Sequence, residues 1–326
     1  MKMEDIVQTR ADTRSFTAAS ELVHNSFIGI EIELEAMHNY YNYANDIPHW
    51  SIVEDGSLRN QGMEFIMGIK TDRTKYTPLK GQDVIIALEN FKQAIVDFTD
   101  GNGSPPSLSS RTSVHVWIDI RDLTSDQTQN FLLLYMIFEK SLFKFCSRPG
   151  DDRSLNQYCV PVWKCPRASQ DILSFGQMSG RSVSTLCNGW NKYSAISLKR
   201  MLELGGIEFR QHCGTYDTEK ILSWINLLLS MKKYAIDIGR ILPSTIPNSV
   251  SSRGYRRFTE DVFGNLSSEI DYPEIDIDIL SGLRLVQELD NTTALILAQE
   301  FIVSKNLRDS STSQQENYRL LLREGE

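Results

Sequence analysis

The 326-residue chain has no unbroken apolar run of about 18 residues, the length a membrane-spanning helix needs. Its first residues, MKMEDIVQTRADTRSF, are polar and acidic and lack the apolar centre of a signal peptide. Positive charge is scarce: 34 Lys and Arg stand against 42 Asp and Glu, for a net charge of −8. Without a surplus of cations to neutralise phosphates, neither a nucleic acid nor a membrane surface is an expected partner. Cysteine is sparse, with five residues at Cys146, Cys159, Cys165, Cys187 and Cys213. An odd count without a C-x-x-C pair speaks against a disulfide framework and against a zinc site, and fits reduced thiols in a cytoplasmic protein. Also missing are H-E-x-x-H, a P-loop, a kinase glycine loop and G-x-G-x-x-G, so a nucleotide would have to be held without a glycine cradle. What is present is 41% hydrophobic and 23% charged residues, enough for a sizeable core.

The segment FIGIEIELEA (27–36) alternates strictly. Ile28, Ile30, Ile32 and Leu34 share one face, and Gly29, Glu31, Glu33 and Glu35 the other. The same test applied elsewhere gives three more half-apolar strands. At 63–67, Met63, Phe65 and Met67 oppose Glu64; at 112–120, Val114, Val116, Ile118 and Ile120 oppose Ser113, His115, Trp117 and Asp119. At 205–212, Ile207 and Phe209 oppose Glu208, Arg210 and His212. Antiparallel sheets routinely keep one solvated face, but such faces mix Lys, Thr, Ser and Gln with Glu. Here they carry almost only Glu and His, with one Arg. Carboxylates that converge must take up protons or be neutralised by cations. Hard divalent ions such as Mg²⁺ or Mn²⁺ accept carboxylates and an occasional imidazole while keeping positions open for water and phosphate. Such a site suggests phosphoryl chemistry.

The remaining pattern predicts a helix over 83–99, a flexible loop over 101–111, and an amphipathic helix over 126–146 capped by Thr124 or Ser125. An Asp55-Gly56 turn joins two strands, an irregular stretch covers 147–190, and a short strand lies within NKYSAISLK (191–199). A long helix from Asp217 or Thr218 to about 240 carries the core stripe Ile221, Trp224, Ile225, Leu228 and Leu229. An aromatic loop at 38–50 and a last helix after DSSTSQQEN complete the reading. Strands and helices do not alternate regularly, so the fold class is α+β with a largely antiparallel sheet. Three parts are expected: a polar lead-in over 1–26, a catalytic domain over 27–240, and a mainly helical extension over 241–326 packed on it.

The segments GIEIELE (29–35), EDGSLRNQGMEFI (54–66), TSVHVWIDIRDLT (112–124), NQYC (156–159), NKYSAISL (191–198) and GGIEFRQHCGTYDTEKILSWI (205–225), in this order, resemble the amidoligase family. That family belongs to the carboxylate–amine ligase superfamily of glutamine synthetase and glutamate–cysteine ligase. The resemblance implies a glutamine-synthetase-like fold, a curved sheet with helices on its convex face and ATP with two or three Mg²⁺ or Mn²⁺ ions on the concave one. It implies an ATP-dependent ligase that activates a carboxylate, on a small molecule or peptide, as an acyl phosphate and joins it to an amine. Residue by residue, it implies that Glu31, Glu33, Glu64, His115 and Glu208 ligate metal and that Arg210 meets phosphate. Asp55 and Ser57 then fall at the substrate end, Asp55 beside the catalytic step, with His115 and Arg210 toward the nucleotide. From the residues alone, Asn191 is a candidate substrate contact, and Arg148 and Arg153, flanking the irregular stretch before NQYC, are candidate nucleotide contacts. Where the family has a second His in H-V-H, this chain has Trp117. A non-catalytic relative that binds metal or nucleotide, and a metal-dependent hydrolase or phosphotransferase, are the alternatives; a homo-oligomer is compatible with the sequence.

Overall fold

The structure, a computed structural model, describes residues 1–9, 14–38, 47–72, 75–238 and 252–289. Most of the aromatic loop and the expected last helix lie outside the described residues. The strands are β1 (Phe27–Leu34), β2 (Trp50–Glu54), β3 (Met63–Met67), β4 (Ile69–Asp72), β5 (Lys75–Thr77), β6 (Leu79–Lys80), β7 (Ser113–Asp119), β8 (Ile196–Ser197) and β9 (Gly206–Cys213). The α-helices are α1 (Gln82–Asn102), α2 (Ser125–Cys146), α3 (Pro166–Ser174), α4 (Gly180–Gly189), α5 (Met201–Leu204), α6 (Thr218–Asp237), α7 (Ser252–Phe263) and α8 (Ile275–Leu289).

Seven strands form one antiparallel sheet in the order β2-β3-β1-β7-β9-β8, with β6 pairing the start of β1. The alternation read in the sequence sets the register. Ile28, Ile32, Leu34, Phe65, Val114, Val116, Ile118, Ile207 and Phe209 are all fully buried. Each such side chain contributes about 1.5–3 kcal/mol by leaving water, so a one-residue slip, which would expose the whole row, is strongly disfavoured. Helix α2 lies on this apolar face, with the rings of Phe131 and Tyr135 each centred 5.5 Å from Phe209. Helix α1 places Phe91 5.3 Å from Phe65. Helices α7 and α8 join the same core through Tyr255, Val262, Ile279 and Leu283.

The helix starts follow local chemistry. Thr124 and Gln127 form a reciprocal capping box at α2, and Asp217 accepts the Glu219 and Lys220 N–H groups at α6. The stretch 147–190 is less irregular than its composition suggests, because α3 and α4 lie in it. Their start signals, Pro166 at the first turn and Ser179 accepting the Ser182 N–H, are residues that also suit loops. The strand expected within 191–199 shrinks to Ile196–Ser197, since the Asn191 side chain accepts the Tyr193 N–H and turns the chain. Between β2 and β3 the left-handed residues are Asn60 and Gln61, with φ of 53° and 55°, beyond the Asp55-Gly56 pair.

Candidate metal centre

The pairing of β1 with its neighbours decides which charges meet. Glu33 stands directly opposite Glu64 on β3, and Glu31 directly opposite His115 on β7. Across β7, Trp117 pairs with Glu208, which in turn pairs with Ser197 at the sheet edge. Cross-strand partners share a face, so Glu31, Glu33, Glu64, His115 and Glu208 from four strands lie on the side of the sheet opposite the helices.

His115 is the hub. Its ring is 6% exposed, with Nδ1 3.1 Å from Glu31 Oε2 and 3.6 Å from Glu208 Oε1. Its Nε2 lies 2.8 Å from Ser113 Oγ, whose hydroxyl also donates to Glu33. One ligand atom each from Glu31, His115 and Glu208 fall within 4.8 Å of one another. Arg210 Nη1 sits 2.5 Å from Glu208 Oε1.

The electrostatics record an excess of negative charge. Burial pushes the Glu64 carboxyl up to about 7, and repulsion from Glu31 and Glu33 adds to it. Burial also works against ionisation of Glu31, but the hydrogen bond and charge of His115, then the charge of Arg210, outweigh it and hold Glu31 below the usual carboxylate range. Burial and Arg210 oppose protonation of His115, yet the carboxylates of Glu31, Glu33 and Glu208 together raise it. Like charges placed directly opposite, as Glu33 and Glu64 are, destabilise a sheet unless something positive lies between them. Two carboxylates and one imidazole are a donor set that suits Mg²⁺ or Mn²⁺, so the residues fit a divalent ion.

The other sequence candidates fall as follows. Asp55 receives the backbone N–H and the hydroxyl of Ser57, closing a turn whose charge reaches Glu64. Arg148 Nη2 pairs with Asp151 at 3.2 Å. Asn191 is exposed in its turn. Glu35, at the strand end, is buried and accepts the Arg59 N–H instead of facing the cluster. Trp117 lies across Gly206, where an added Cβ would come 2.2 Å from the indole, so glycine is required there.

One sequence expectation is overturned. His212 does not share a face with Glu208 and Arg210: it pairs with Val114, whereas Phe209 pairs with Val116, so two residues of β9 face His115 alone. This bulge shifts the alternation by one residue. His212 therefore enters the core against Trp224 and Phe145, where burial pushes it down to about 3. Arg153, read in the sequence with Arg148 as a nucleotide contact, is 3% exposed and spends its guanidinium on backbone carbonyls. Period-two reading offered no signal for either.

Fold and site together define an α+β protein with an acidic, histidine-centred candidate metal site on one face of an antiparallel sheet. Residues 106–232 match the model of a family described as "Putative amidoligase enzyme", so that part of the chain is similar to the amidoligase family. The span contains His115, Glu208 and Arg210; Glu31, Glu33 and Glu64 lie before it. The match supports an enzyme of the ligase type. A search of curated proteins gave no match. Among the described residues no helix is long and apolar enough to cross a membrane.

Proposed function

We propose that this protein is an ATP-dependent carboxylate–amine ligase with a glutamine-synthetase-like catalytic fold and a Mg²⁺ or Mn²⁺ centre. The observation that carries the reading is the convergence of Glu31, His115 and Glu208 within 4.8 Å, next to the opposed pair Glu33 and Glu64. When bound there, a divalent ion would neutralise the carboxylates and polarise phosphoryl oxygens. Glu31, His115 and Glu208 would hold it, with Glu33 and Glu64 adjoining. Arg210, fixed by Glu208, offers the planar fork that suits a phosphoryl group. Ser113 orients the His115 ring through Nε2 and leaves Nδ1 toward the carboxylates.

A carboxylate is a poor acyl donor until one of its oxygens belongs to a good leaving group. In the proposed course the substrate carboxylate takes the γ-phosphoryl group of ATP, and an amine then displaces phosphate, so ATP, acid and amine become ADP, phosphate and amide. Asp55 and Ser57, at the turn beside Glu64, are the proposed substrate end, with Asn191 and Arg148 at its margins. The substrates are a small molecule or peptide with a free carboxylate and an amine partner, in a cytoplasmic setting, with a homo-oligomer compatible. The test is release of ADP and phosphate by the wild-type protein with Mg-ATP, an acid and an amine. Turnover should require all three and vanish in Glu208→Gln; equal turnover without amine would mark a phosphotransferase or hydrolase instead.

A further inference from the structure

Arg153 is a buried cation without an ion-pair partner among the described residues. Taking a guanidinium out of water is costly, and the compensation here is a set of carbonyl dipoles. Its Nε donates to the Gln211 carbonyl at 3.2 Å, Nη2 to the Arg210 carbonyl at 3.4 Å and Nη1 to the Ser110 carbonyl at 3.3 Å. Two of these three belong to the residues that form the bulge in β9. A bulge withdraws backbone groups from the ladder, bends the strand and re-aims its side chains. The two bulge residues must be held by something other than the partner strand, and one planar fork holds the carbonyls of both. The first bulge residue is Arg210, which stands against Glu208 and opposite His115. A shift of about 1 Å in such a group is enough to spoil positioning.

We propose that Arg153 is a positioning residue for Arg210: it clamps the β9 bulge from behind and so aims the Arg210 guanidinium onto the acidic face. This rests on reading Arg210 as the site's phosphate-contacting cation. Arg153 touches no reacting group in this arrangement. Its planar fork matters, not its charge alone, because the guanidinium donors are fixed on three separate nitrogens, whereas an ammonium offers a single nitrogen on a flexible stem.

The test uses the full-length protein and the variants R153K, R153Q, R210Q and R153Q/R210Q. R153K keeps the buried charge and guards against a simple folding failure of R153Q. Calorimetry measures the affinity for Mn²⁺ alone and, in excess Mn²⁺, for a non-hydrolysable ATP analogue. Hydrogen exchange measures protection of the amides at 210–213 without any ligand. R153K and R153Q should each weaken the analogue about tenfold, with R153Q/R210Q no weaker than R210Q, because coupled residues do not add. Mn²⁺ affinity should stay within about twofold, a change too small to reflect a lost ligand. The bulge amides should exchange at least about tenfold faster in R153K, with 114–118 unchanged. Losses that multiply in the double variant, or R153K matching wild type in exchange, would overturn the proposal. If the wild type binds no analogue, the reading of Arg210 fails, and the exchange result then decides the clamp by itself.

Discussion

Two groups of charge sit along β7 and are balanced in opposite ways. At its end, Arg121 Nε meets Asp119 Oδ1 at 2.7 Å, and the fully buried Lys232 bonds Ser26 Oγ at 2.8 Å, the Asp119 carbonyl at 2.7 Å and Asp122 Oδ1 at 2.7 Å. Two cations answer two anions. Burial favours a neutral Asp122, yet its partners hold it down to about 2. In the middle of the strand, four carboxylates, Glu31, Glu33, Glu64 and Glu208, lie against His115 and Arg210, and the more distant charge of Arg200 reaches Glu31. The first group is closed and holds the helix α6 to the sheet. The second is open: burial raises Glu64 to about 7, and repulsion from Glu31 and Glu33 adds to it. Charge balance thus distinguishes the closed group from the candidate metal site more sharply than charge itself does.

The largest effect expected is at the closed group. Lys232→Met should lower unfolding free energy by about 3 kcal/mol, read from denaturant midpoints, because it takes the buried cation from the Asp122 carboxylate, the Asp119 carbonyl and Ser26 at once. It should leave Mn²⁺ affinity intact once folded; loss of Mn²⁺ binding would join the two groups and break the comparison. At the open group, Mn²⁺ at about 100 times its Kd should stabilise the wild type by about 2.7 kcal/mol. Glu208→Gln should lose most of that gain, and a full gain in the variant would remove Glu208 from the ligand set.

Smaller is the effect of Glu64→Gln, which should stabilise the metal-free protein by about 1 kcal/mol near neutral pH by removing the repulsion with Glu33. Acid titration sharpens this. Glu64 rises from 4.5 to about 7 on folding, so its contribution is full below pH 4.5 and is lost as the pH climbs through 7. His115, also raised, contributes with the same sign above its ordinary value of 6.5. Metal-free stability should therefore fall across pH 4.5–7, and Glu64→Gln should flatten that slope in thermal melts. A slope unchanged by the substitution would assign it elsewhere. The smallest effect is that of His212→Phe, which should leave Mn²⁺ affinity within about twofold, since the imidazole lies on the core face.

Several features were legible because they depend on neighbours in sequence. The alternation of Ile28 through Leu34 assigned one face of β1 to the core, and the caps at Thr124 and Asp217 marked where α2 and α6 begin. The same alternation put Glu31, Glu33, Glu64, His115 and Glu208 on polar faces. Helices α3 and α4 were hidden because two or three turns give too short a period to outweigh Pro, Arg and Cys.

The amino-acid sequence by itself determined which side chains of each strand turn from the core, because side-chain direction in a strand repeats every two residues and is a local property. Only the tertiary structure decided that Glu33 faces Glu64, that Glu31 and Glu208 both reach His115, and that a single extra residue in β9 sends His212 inward while Arg153 holds the bulge behind Arg210. Strand order and register are fixed by contacts between distant segments. No local period encodes them.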